Sequence, residues 1–461
     1  MTRFGAYPPS LLIVGMVCLL ITLLRAGQPP LFPVTPPSLS CSPTPCILPN
    51  LQASGGTQVV NTDAITVNPT DSSQLLSSGN DFNCASLQGF YASSDGGSTW
   101  VHNCLTTLSN QIGSGNPILG YDLNKVAYAG GTDVDTSGGA VVVLSNSKNN
   151  GTTWSAVKQV VPALLGGLAD RPWLEIDTTS TSAHANSLYI SATQFDSSFN
   201  SEISVSHSND EGNTWTHVVI DAKQIFPAVD HFSDLAIGKD GTVYASWMRC
   251  TADGPTGDCG GTVATMMFSK SIDGGNTWSS PAKSATFSMA PDTCSCAFYG
   301  NLPNTTEPVG DIPVIAVDNS SGARAGALYV AAYNWTSLFM QVEVVHSNDS
   351  GASWSAPVPV APSTATKDQF QPWVRLASSG KIAVTWLDRR NDPLNRNYQP
   401  FVAFSSDGTG FSVNHALSTL LSVPSSVGNF RTHVWSGKTI YAAWPDTRTG
   451  ISQDEIGGVQ F

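Results

Sequence analysis

Residues 271–278 read SIDGGNTW, and four further segments of the chain repeat the same pattern, S-x-[DN]-x-G-x-[TS]-W. The copies are SSDGGSTW at 93–100, SKNNGTTW at 147–154, SNDEGNTW at 208–215 and SNDSGASW at 347–354. A degenerate sixth copy, SSDGTGF, stands at 405–411, and successive copies begin 54 to 76 residues apart. Repetition at this period indicates an array of equivalent structural units.

The residue types of each copy predict a tight turn. Asp, Asn, Ser and Thr side chains bond nearby backbone N–H groups, and the Gly allows a positive φ. Each copy follows an apolar run, such as AVVVLSNS or VEVVHS. The pattern therefore predicts a box that closes a β-hairpin, with its Trp packed over the turn and into the seam with the next sheet.

Two more strands recur between successive boxes. One begins near a proline (PWLEID, PVIAVD, PWVRLA), and the next is apolar with an aromatic end (LYISATQF, LYVAAYNW, IYAAWPD). We therefore predict an all-β fold of four-stranded antiparallel sheets, strands A to D, with the box in the C–D turn. A ring of such sheets is a β-propeller. Seven A–B pairs favour seven blades, six being the alternative, with residues 57–61 (TQVVN) as the outer strand of the last blade.

The first 56 residues differ from the rest. Residues 11–24 read LLIVGMVCLLITLL, with Arg3 before them. This run is short for a membrane span, so residues 1–27 are predicted to be a signal peptide, with an uncleaved N-terminal anchor as the alternative. Residues 28–56 form a proline-rich linker, and residues 57–461 the propeller. Either interpretation predicts an exported protein, secreted or anchored at the cell surface.

Cysteine usage agrees with export. Outside the leader the chain has eight cysteines, and an even number in an exported chain predicts disulfides. Local pairing predicts three bridges, Cys41–Cys46, Cys84–Cys104 and Cys250–Cys259. The pairing of Cys294 and Cys296 stays open. No CxxC or HExxH motif is present, so no metal site is predicted.

Charge and composition exclude several partners. The formal net charge is −13, from 21 Lys+Arg against 34 Asp+Glu, whereas a nucleic-acid binder needs a basic surface. Hydrophobic residues make up 41% of the chain and allow a large core. No Gly-rich phosphate loop precedes a helix, so no cofactor is expected. We expect a monomer that contacts a membrane only through an uncleaved leader.

The five boxes resemble the Asp-box, or BNR, repeat of the sialidase-like superfamily, over about residues 57–461. The segments DRPW (170–173), TWLDRRNDP (385–393) and AWPDTR (443–448) also resemble exported bacterial proteins of the exo-α-sialidase type. The resemblance implies a β-propeller in which the boxes are structural clamps. It also implies a glycan ligand and an exo-acting glycoside hydrolase, in which three arginines hold the sugar carboxylate.

Arginines are distributed asymmetrically. The D–A and B–C loops lie on one predicted face, around the channel mouth, and carry seven of the nine arginines that follow Arg25. The arginine fork fits carboxylates, so the predicted ligand-binding residues are Arg171, Arg249, Arg389, Arg390, Arg431 and Arg448, with Asp388 and Asp446. The alternative is that these arginines and aspartates form ion pairs between blades; calcium on the acidic loops is a third interpretation.

The sequence matches the catalytic motifs of sialidases only in part. The Arg-Ile-Pro motif of sialidases is absent, and Arg171-Pro172 is only a partial match. The candidate catalytic residues are Asp170, Asp234, Asp311, Glu307 and Tyr398, with Tyr299 as a second possible nucleophile. Four Trp residues at strand B ends offer sugar stacking or packing between blades: Trp247, Trp335, Trp386 and Trp444. The alternative function is a non-catalytic binding or scaffold propeller at the cell surface.

Overall fold

The computed structural model describes residues 39–136, 138–253, 258–295, 298–310, 312–361, 366–424, 427–428 and 432–461. The predicted leader therefore lies outside the described residues. The chain divides into a unit of residues 1–36 and a unit of residues 37–461, and every described residue belongs to the second. The described part contains no helix that is long and apolar enough to cross a membrane.

The described strands, numbered in chain order, pair into antiparallel four-stranded units that we call blades. Blade 1 contains β3 (Val60–Asn68), β4 (Asp71–Asp81), β5 (Gln88–Ser93) and β6 (Val101–Cys104). Blade 2 contains β7 (Gln111–Tyr121), β8 (Ala127–Asp135), β9 (Ala140–Ser147) and β10 (Lys158–Val161). Blade 3 contains β11 (Leu168–Ile176), β12 (Leu188–Phe195), β13 (Ser201–Ser208) and β14 (Thr216–Val219).

The remaining blades follow the same order. Blade 4 contains β15 (Val229–Ile237), β16 (Val243–Cys250), β17 (Val263–Ser271) and β18 (Ala282–Ser288). Blade 5 contains β19 (Val314–Val317), β20 (Leu328–Trp335), β21 (Met340–Ser347) and β22 (Val358–Pro359). Blade 6 contains β23 (Gln369–Leu376), β24 (Ile382–Asp388), β25 (Gln399–Ser405) and β26 (His415–Ala416). Blade 7 contains β27 (His433–Ser436), β28 (Thr439–Asp446), β29 (Gln453–Gln460), β1 (Cys46–Ile47) and β2 (Leu51–Gln52).

The blades form a ring around the first strand of each. Strands β3, β7, β11, β15, β19, β23 and β27 contact one another in that order, and β27 contacts β3 again. Each blade is covered on both faces by its neighbours, so its strands carry long apolar runs such as Leu328–Tyr333. The fold is therefore an all-β propeller of four-stranded antiparallel blades.

The outer strand of the last blade is not the predicted segment 57–61. Strands β1 and β2 pair with β29 instead, and β3, which begins at Val60, is the inner strand of blade 1. An outermost strand needs hydrogen-bond partners on one side only, so it tolerates Pro49 between its two halves. Leu39 and Leu48 pack in the core beneath it. The sequence analysis assigned this segment to the linker because it is rich in proline.

All five complete boxes lie in C–D turns, as predicted, and in each the Ser Oγ accepts the Gly N–H, while the Trp indole donates to the Gly carbonyl in three of them. In the box of blade 4, Gly275 has a φ of 90° and donates its N–H to Ser271 Oγ at 2.9 Å. Asp273 Oδ1 accepts the N–H of Thr277 at 2.9 Å, and Trp278 Nε1 donates to the Gly275 carbonyl at 3.1 Å. These bonds satisfy the turn locally, so the box stabilises the hairpin without help from other blades.

The Trp of a box also contacts the blade before it. The rings of Trp154 and Phe90 have centroids 5.8 Å apart, and those of Trp354 and Phe268 are 5.6 Å apart. The prediction placed this contact in the seam with the next sheet, whereas the structure places it with the preceding one. Large aromatic surfaces therefore connect consecutive blades at the level of the boxes.

Three disulfides confirm the predicted local pairing: Cys41–Cys46, Cys84–Cys104 and Cys250–Cys259. Cys294 is disulfide-bonded as well, and Cys296 lies outside the described residues. Each of the three bridges closes a short loop, and the first fixes the segment that supplies the outer strand of blade 7.

Side chains from opposite blades meet inside the central channel. Trp173 of blade 3 and Trp373 of blade 6 have ring centroids 4.7 Å apart. Arg375 of blade 6 lies 3.6 Å from the Asp234 carboxylate and 4.0 Å from that of Glu175. We call Glu175, Asp234 and Arg375 the channel triad. It joins three blades across the ring axis.

Burial governs the protonation of this triad. It raises the pKa of Glu175 to about 7 and that of Asp234 to about 6, although Arg375 opposes both shifts. Glu175 is enclosed by protein, but its side chain remains 32% accessible because it faces the channel space. One guanidinium therefore serves two carboxylates, and one of the two favours the protonated form near neutral pH.

The buried serine of a box gives the first prediction. Ser271→Ala leaves the Gly275 N–H without its acceptor inside a buried turn, so we expect the free energy of unfolding to fall by about 1–3 kcal/mol. Denaturant unfolding of the purified chain measures it. The exposed Ser280→Ala, two residues beyond the same box, is the control and should leave stability unchanged. Equal stability of both variants would contradict the role given to the serine.

The channel triad gives a pH prediction. The folded pKa of Glu175 is raised, so the folded chain keeps a proton that the unfolded chain has lost between about pH 4.5 and 7. Its contribution is complete below the unfolded pKa and is lost as the pH rises through the folded pKa. Glu175→Gln should therefore remove part of the decline in unfolding free energy between pH 5 and 8.

Denaturant unfolding across that pH range measures the change. Glu211→Gln, at a surface residue paired with Lys148, is the control and should keep the wild-type profile. A Glu175→Gln profile parallel to that of the wild type would refute the assignment.

Candidate functional site

The inner strands share an irregularity where they enter the ring at the channel mouth. In five blades the pairing of the first two strands shifts register there. One non-glycine residue at each shift has a φ of 50° to 60°. These residues are Thr62, Asn116, Arg171, Phe232 and Gln371. Such β-bulges redirect side chains, and strained backbone at equivalent positions often marks a functional surface.

Proline follows the bulge residue in three of these strands, at positions 117, 172 and 372. A bulge leaves one residue outside the hydrogen-bond ladder, so the missing N–H of proline has no cost there. The recurring proline that suggested strand A thus also fixes the point at which side chains turn toward the mouth. The bulges are built into the inner strands, so the residues they redirect rest on the rigid part of the fold.

Amide side chains connect blades 1 and 2 at the mouth. Asn80 Nδ2 lies 3.1 Å from both Asn61 Oδ1 and Thr62 Oγ1. The Oδ1 atom of Asn80 accepts the backbone N–H of Asn116 at 2.7 Å. The backbone of the blade 2 bulge is therefore hydrogen-bonded to the Asn80 side chain of blade 1.

The array continues into blade 3 through two charged residues. Asn116 Nδ2 donates to Asp170 Oδ1 at 3.0 Å, and Arg171 Nη1 donates to Asn116 Oδ1 at 2.8 Å. Asp170 Oδ2 lies 3.8 Å from Arg171 Nε and 3.6 Å from His231 Nε2 of blade 4. We call Asn80, Asn116, Asp170, Arg171 and His231 the mouth cluster. Asp170, 29% exposed, brings its carboxylate within reach of solvent.

Aromatic rings form one wall of this cluster. The His231 ring lies 5.2 Å from Tyr299 and 4.1 Å from Phe232, measured between centroids. Burial lowers the pKa of His231 to about 4 and raises that of Tyr299 well above its usual value, and Asp170 raises the latter further. The imidazole is therefore neutral and the phenol protonated at neutral pH. A protonated phenol is a hydrogen-bond donor rather than a nucleophile.

Besides Arg171, four of the predicted ligand-binding arginines form ion pairs with neighbouring carboxylates. Arg249 pairs with Asp221 and, at 2.8 Å, with Asp230. Arg389 and Asp368 are both fully buried and 3.1 Å apart.

The other two pairs lie at strand B ends. Arg390 binds Asp388, and Arg448 binds Asp446 at 2.8 Å and Glu455 at 3.1 Å. Arg171 differs from these four arginines, because its carboxylate neighbour is 3.8 Å away. The aspartates that pair with Arg390 and Arg448 lie in the same blade as the arginine, whereas the alternative expected pairs between blades. Arg171 has an acidic neighbour as well, at a longer distance.

Two further predicted site residues, Asp234 and Tyr398, bind groups outside the mouth cluster. Asp234 is buried in the channel triad, and its Oδ2 accepts the N–H of Ile315 at 2.8 Å. Tyr398 is buried, and its hydroxyl donates to the Pro445 carbonyl at 2.7 Å. Glu307 is half-buried in the loop between β18 and β19. Asp311 and Arg431 lie outside the described residues.

The tryptophans at strand B ends pack rather than face the mouth. Trp247, Trp386 and Trp444 are fully buried, and the indoles of the last two donate to Asp388 and Asp446. Those carboxylates thus hold an arginine and an indole together. Trp335 is half-buried against the core.

Within the described residues, one group has the spacing of metal ligands: Cys84, His102 and Cys104. Its two sulfur atoms are joined in a disulfide, so they are not the thiolates that zinc requires. This arrangement gives no reason to assign a metal.

Comparisons with known proteins return structures only. No family model matches the chain, and no curated protein does. The leech intramolecular trans-sialidase, complexed with 2,7-anhydro-Neu5Ac, is 12% identical over 72% of this chain and 65% of its own, with a TM-score of 0.47. The match thus spans slightly less than two thirds of the leech protein.

Two further structures are similar at the same level. The intramolecular trans-sialidase of Ruminococcus gnavus is 13% identical over 73% of this chain and 92% of its own, with a TM-score of 0.47. An α-L-arabinanase of Penicillium chrysogenum, complexed with arabinobiose, is 13% identical over 77% and 94%, with a TM-score of 0.48. These likenesses assign no residue or activity, and the fold rests on the strand pairing of the chain itself.

The buried Arg389 and the partly exposed Arg171 should differ in their contribution to stability. Arg389→Ala leaves the buried Asp368 carboxylate without its cation, so we expect the unfolding free energy to fall by about 3–5 kcal/mol. Arg171→Ala removes a partly exposed guanidinium and its hydrogen bond to Asn116, so it should cost less, about 1–2 kcal/mol. Denaturant unfolding of both variants checks this ranking. A loss for Arg171→Ala as large as that for Arg389→Ala would make both arginines structural.

Proposed function

We propose that the chain is an exported propeller that binds a carbohydrate, or another ligand with an acidic group, at the mouth cluster. The observation that carries this proposal is the ring of bulges, which brings amide, carboxylate and guanidinium groups of neighbouring blades into one hydrogen-bonded array. Amides donate and accept hydrogen bonds, as sugar hydroxyl groups do. Arg171 adds a planar fork for a ligand carboxylate.

Binding is favoured over hydrolysis by the state of the neighbouring groups. A sialidase-type site would need three arginines on one carboxylate, and Arg249, Arg389, Arg390 and Arg448 each have a carboxylate of their own. We therefore propose a non-catalytic binding module, with the Asp-boxes as clamps.

Export is supported by the disulfides. Bridges persist in oxidising compartments, and three of them close loops in the described residues. Together with the apolar leader in the sequence, they support a location outside the cytoplasm, where glycans are abundant.

A glycan array carrying sialylated, uronic-acid and neutral oligosaccharides tests the proposal with the purified full chain. We expect retention of at least one class. Arg171→Ala should weaken the best interaction at least tenfold, corresponding to about 1.4 kcal/mol, and Arg171→Lys should restore it in part, because lysine keeps the charge and loses the fork.

Arg324→Ala is the matched control, since Arg324 is a partly exposed arginine, 3.5 Å from Asp407 in the box of blade 6. It should bind as the wild type does. Retention of no glycan, or equal binding by Arg171→Ala and the wild type, would refute the proposal. Turnover of sialyl-linked or neutral chromogenic glycosides that is lost in Asp170→Asn would replace it with a hydrolase.

A further inference from the structure

A row of aromatic rings extends from the mouth cluster to the outer rim of the same face. Tyr299 contacts Phe298 with centroids 5.1 Å apart, and Phe298 stacks with Phe226 at 6.2 Å. Phe226 contacts Phe199 at 6.3 Å. These four rings, which we call the aromatic row, lie on mouth-face loops of blades 3 and 4 and on the loop that leads into blade 5.

The outer end of the row is open to solvent. Phe199 is 39% exposed and Phe226 is 48% exposed, and Ile225 beside it is also exposed. The inner end reaches His231, which lies 3.6 Å from Asp170. An exposed apolar strip that is continuous with a polar cluster offers one ligand both apolar and polar contacts.

The loops that carry Phe199 and Phe226 are bonded to each other. Ser201 and Gln224 exchange two backbone hydrogen bonds of 3.0 and 2.7 Å, and Phe226 N–H donates to Asn200 Oδ1 at 3.0 Å. The rings are therefore held in place before any ligand arrives, which lowers the entropy cost of binding.

The edges of the row favour a sugar chain over a lipid or a protein. Lys223 and Asp196 form an ion pair of 3.1 Å beside Phe199, and Asn200 donates to the same carboxylate. Polar groups thus lie beside the two outer rings, Phe199 and Phe226, as the hydroxyl-bearing edge of a sugar requires, while the apolar face of the sugar lies on the ring. The net charge of −13 opposes an anionic membrane surface.

We infer that the aromatic row is an extension subsite, which binds the second and following residues of an oligosaccharide whose terminal residue occupies the mouth cluster. This inference rests on the proposed function, because it assigns the site a chain rather than a single sugar. Under this inference, the aromatic row makes longer oligosaccharides bind more tightly, and the mouth cluster determines which terminal residue is bound.

Calorimetric titration with two probe pairs tests the inference. The pairs are N-acetylneuraminic acid with 3′-sialyllactose, and galacturonic acid with its trimer. For at least one pair, we expect the full chain to bind the longer sugar about tenfold more tightly. Phe226→Ala should remove this difference and leave monosaccharide binding unchanged, whereas Phe226→Tyr should retain it. Ile272→Ala, an exposed apolar residue in the box of blade 4 on the opposite face, should retain it too.

The outcomes separate the two claims. Equal binding of both members of each pair, together with Arg171→Ala weakening both, would overturn the extension subsite and keep the mouth cluster. Binding of neither member of either pair would overturn both claims for acidic sugars. Sedimentation velocity adds a further check, because an oligomer of the wild type that Phe226→Ala dissociates would assign the aromatic row to contacts between copies of this chain.

Discussion

The pairing of β1 and β2 with β29 closes the ring, and the rest of the molecule depends on that closure. Each inner strand is held between two neighbours, β27 and β28 contact β3, and the last blade is completed by residues that precede the first. Without the outer strand, blade 7 would end on the exposed edge of β29, and the first and last blades could separate. The Cys41–Cys46 bridge stabilises the segment that makes this contact.

Closure also brings the functional groups together. Asn80, Asn116 and Arg171 belong to three different blades, and they meet where the inner strands of these three blades carry bulges. A positive φ at a non-glycine residue costs free energy, so five such residues in one ring need a compensating interaction. The hydrogen bonds between blades supply it, and they also hold the side chains at the mouth in fixed positions.

Much of this architecture could be predicted from the sequence, because local sequence patterns determine it. The boxes, their C–D turns and the three disulfides follow from residues that are near one another in the chain. The mouth cluster was only partly predictable. Asp170 and Arg171 stand out as a charged pair before a proline, and Tyr299 as a loop tyrosine. Asn80, Asn116 and His231 carry no motif.

The roles of Asn80, Asn116 and His231 depend on contacts between residues of different blades, which are 36 or more positions apart in the chain. Local patterns do not encode such contacts. The residue before the proline of strand A is the signal that could have identified Asn116. Arg390 and Arg448 each pair with an aspartate two residues earlier in the chain, so the sequence could offer these ion pairs as an alternative but could not decide for them. Whether a guanidinium serves a ligand or a neighbouring carboxylate depends on distances of a few ångströms.

The charge balance of the mouth cluster argues for a ligand that is chosen by its hydroxyl groups more than by its charge. Asp170 lies 3.8 Å from Arg171, so a ligand carboxylate must share the guanidinium with a fixed negative group. A simple anion gains little from that exchange, because the repulsion from Asp170 offsets much of the attraction to Arg171. A sugar can instead bond the amides of Asn80 and Asn116 and the Asp170 carboxylate with its hydroxyl groups, while it gives Arg171 an acidic substituent. Under the proposed function, we therefore expect the site to reject small anions and to keep a ligand that satisfies the whole array, since each unmatched polar group would lose its bonds to water without replacing them.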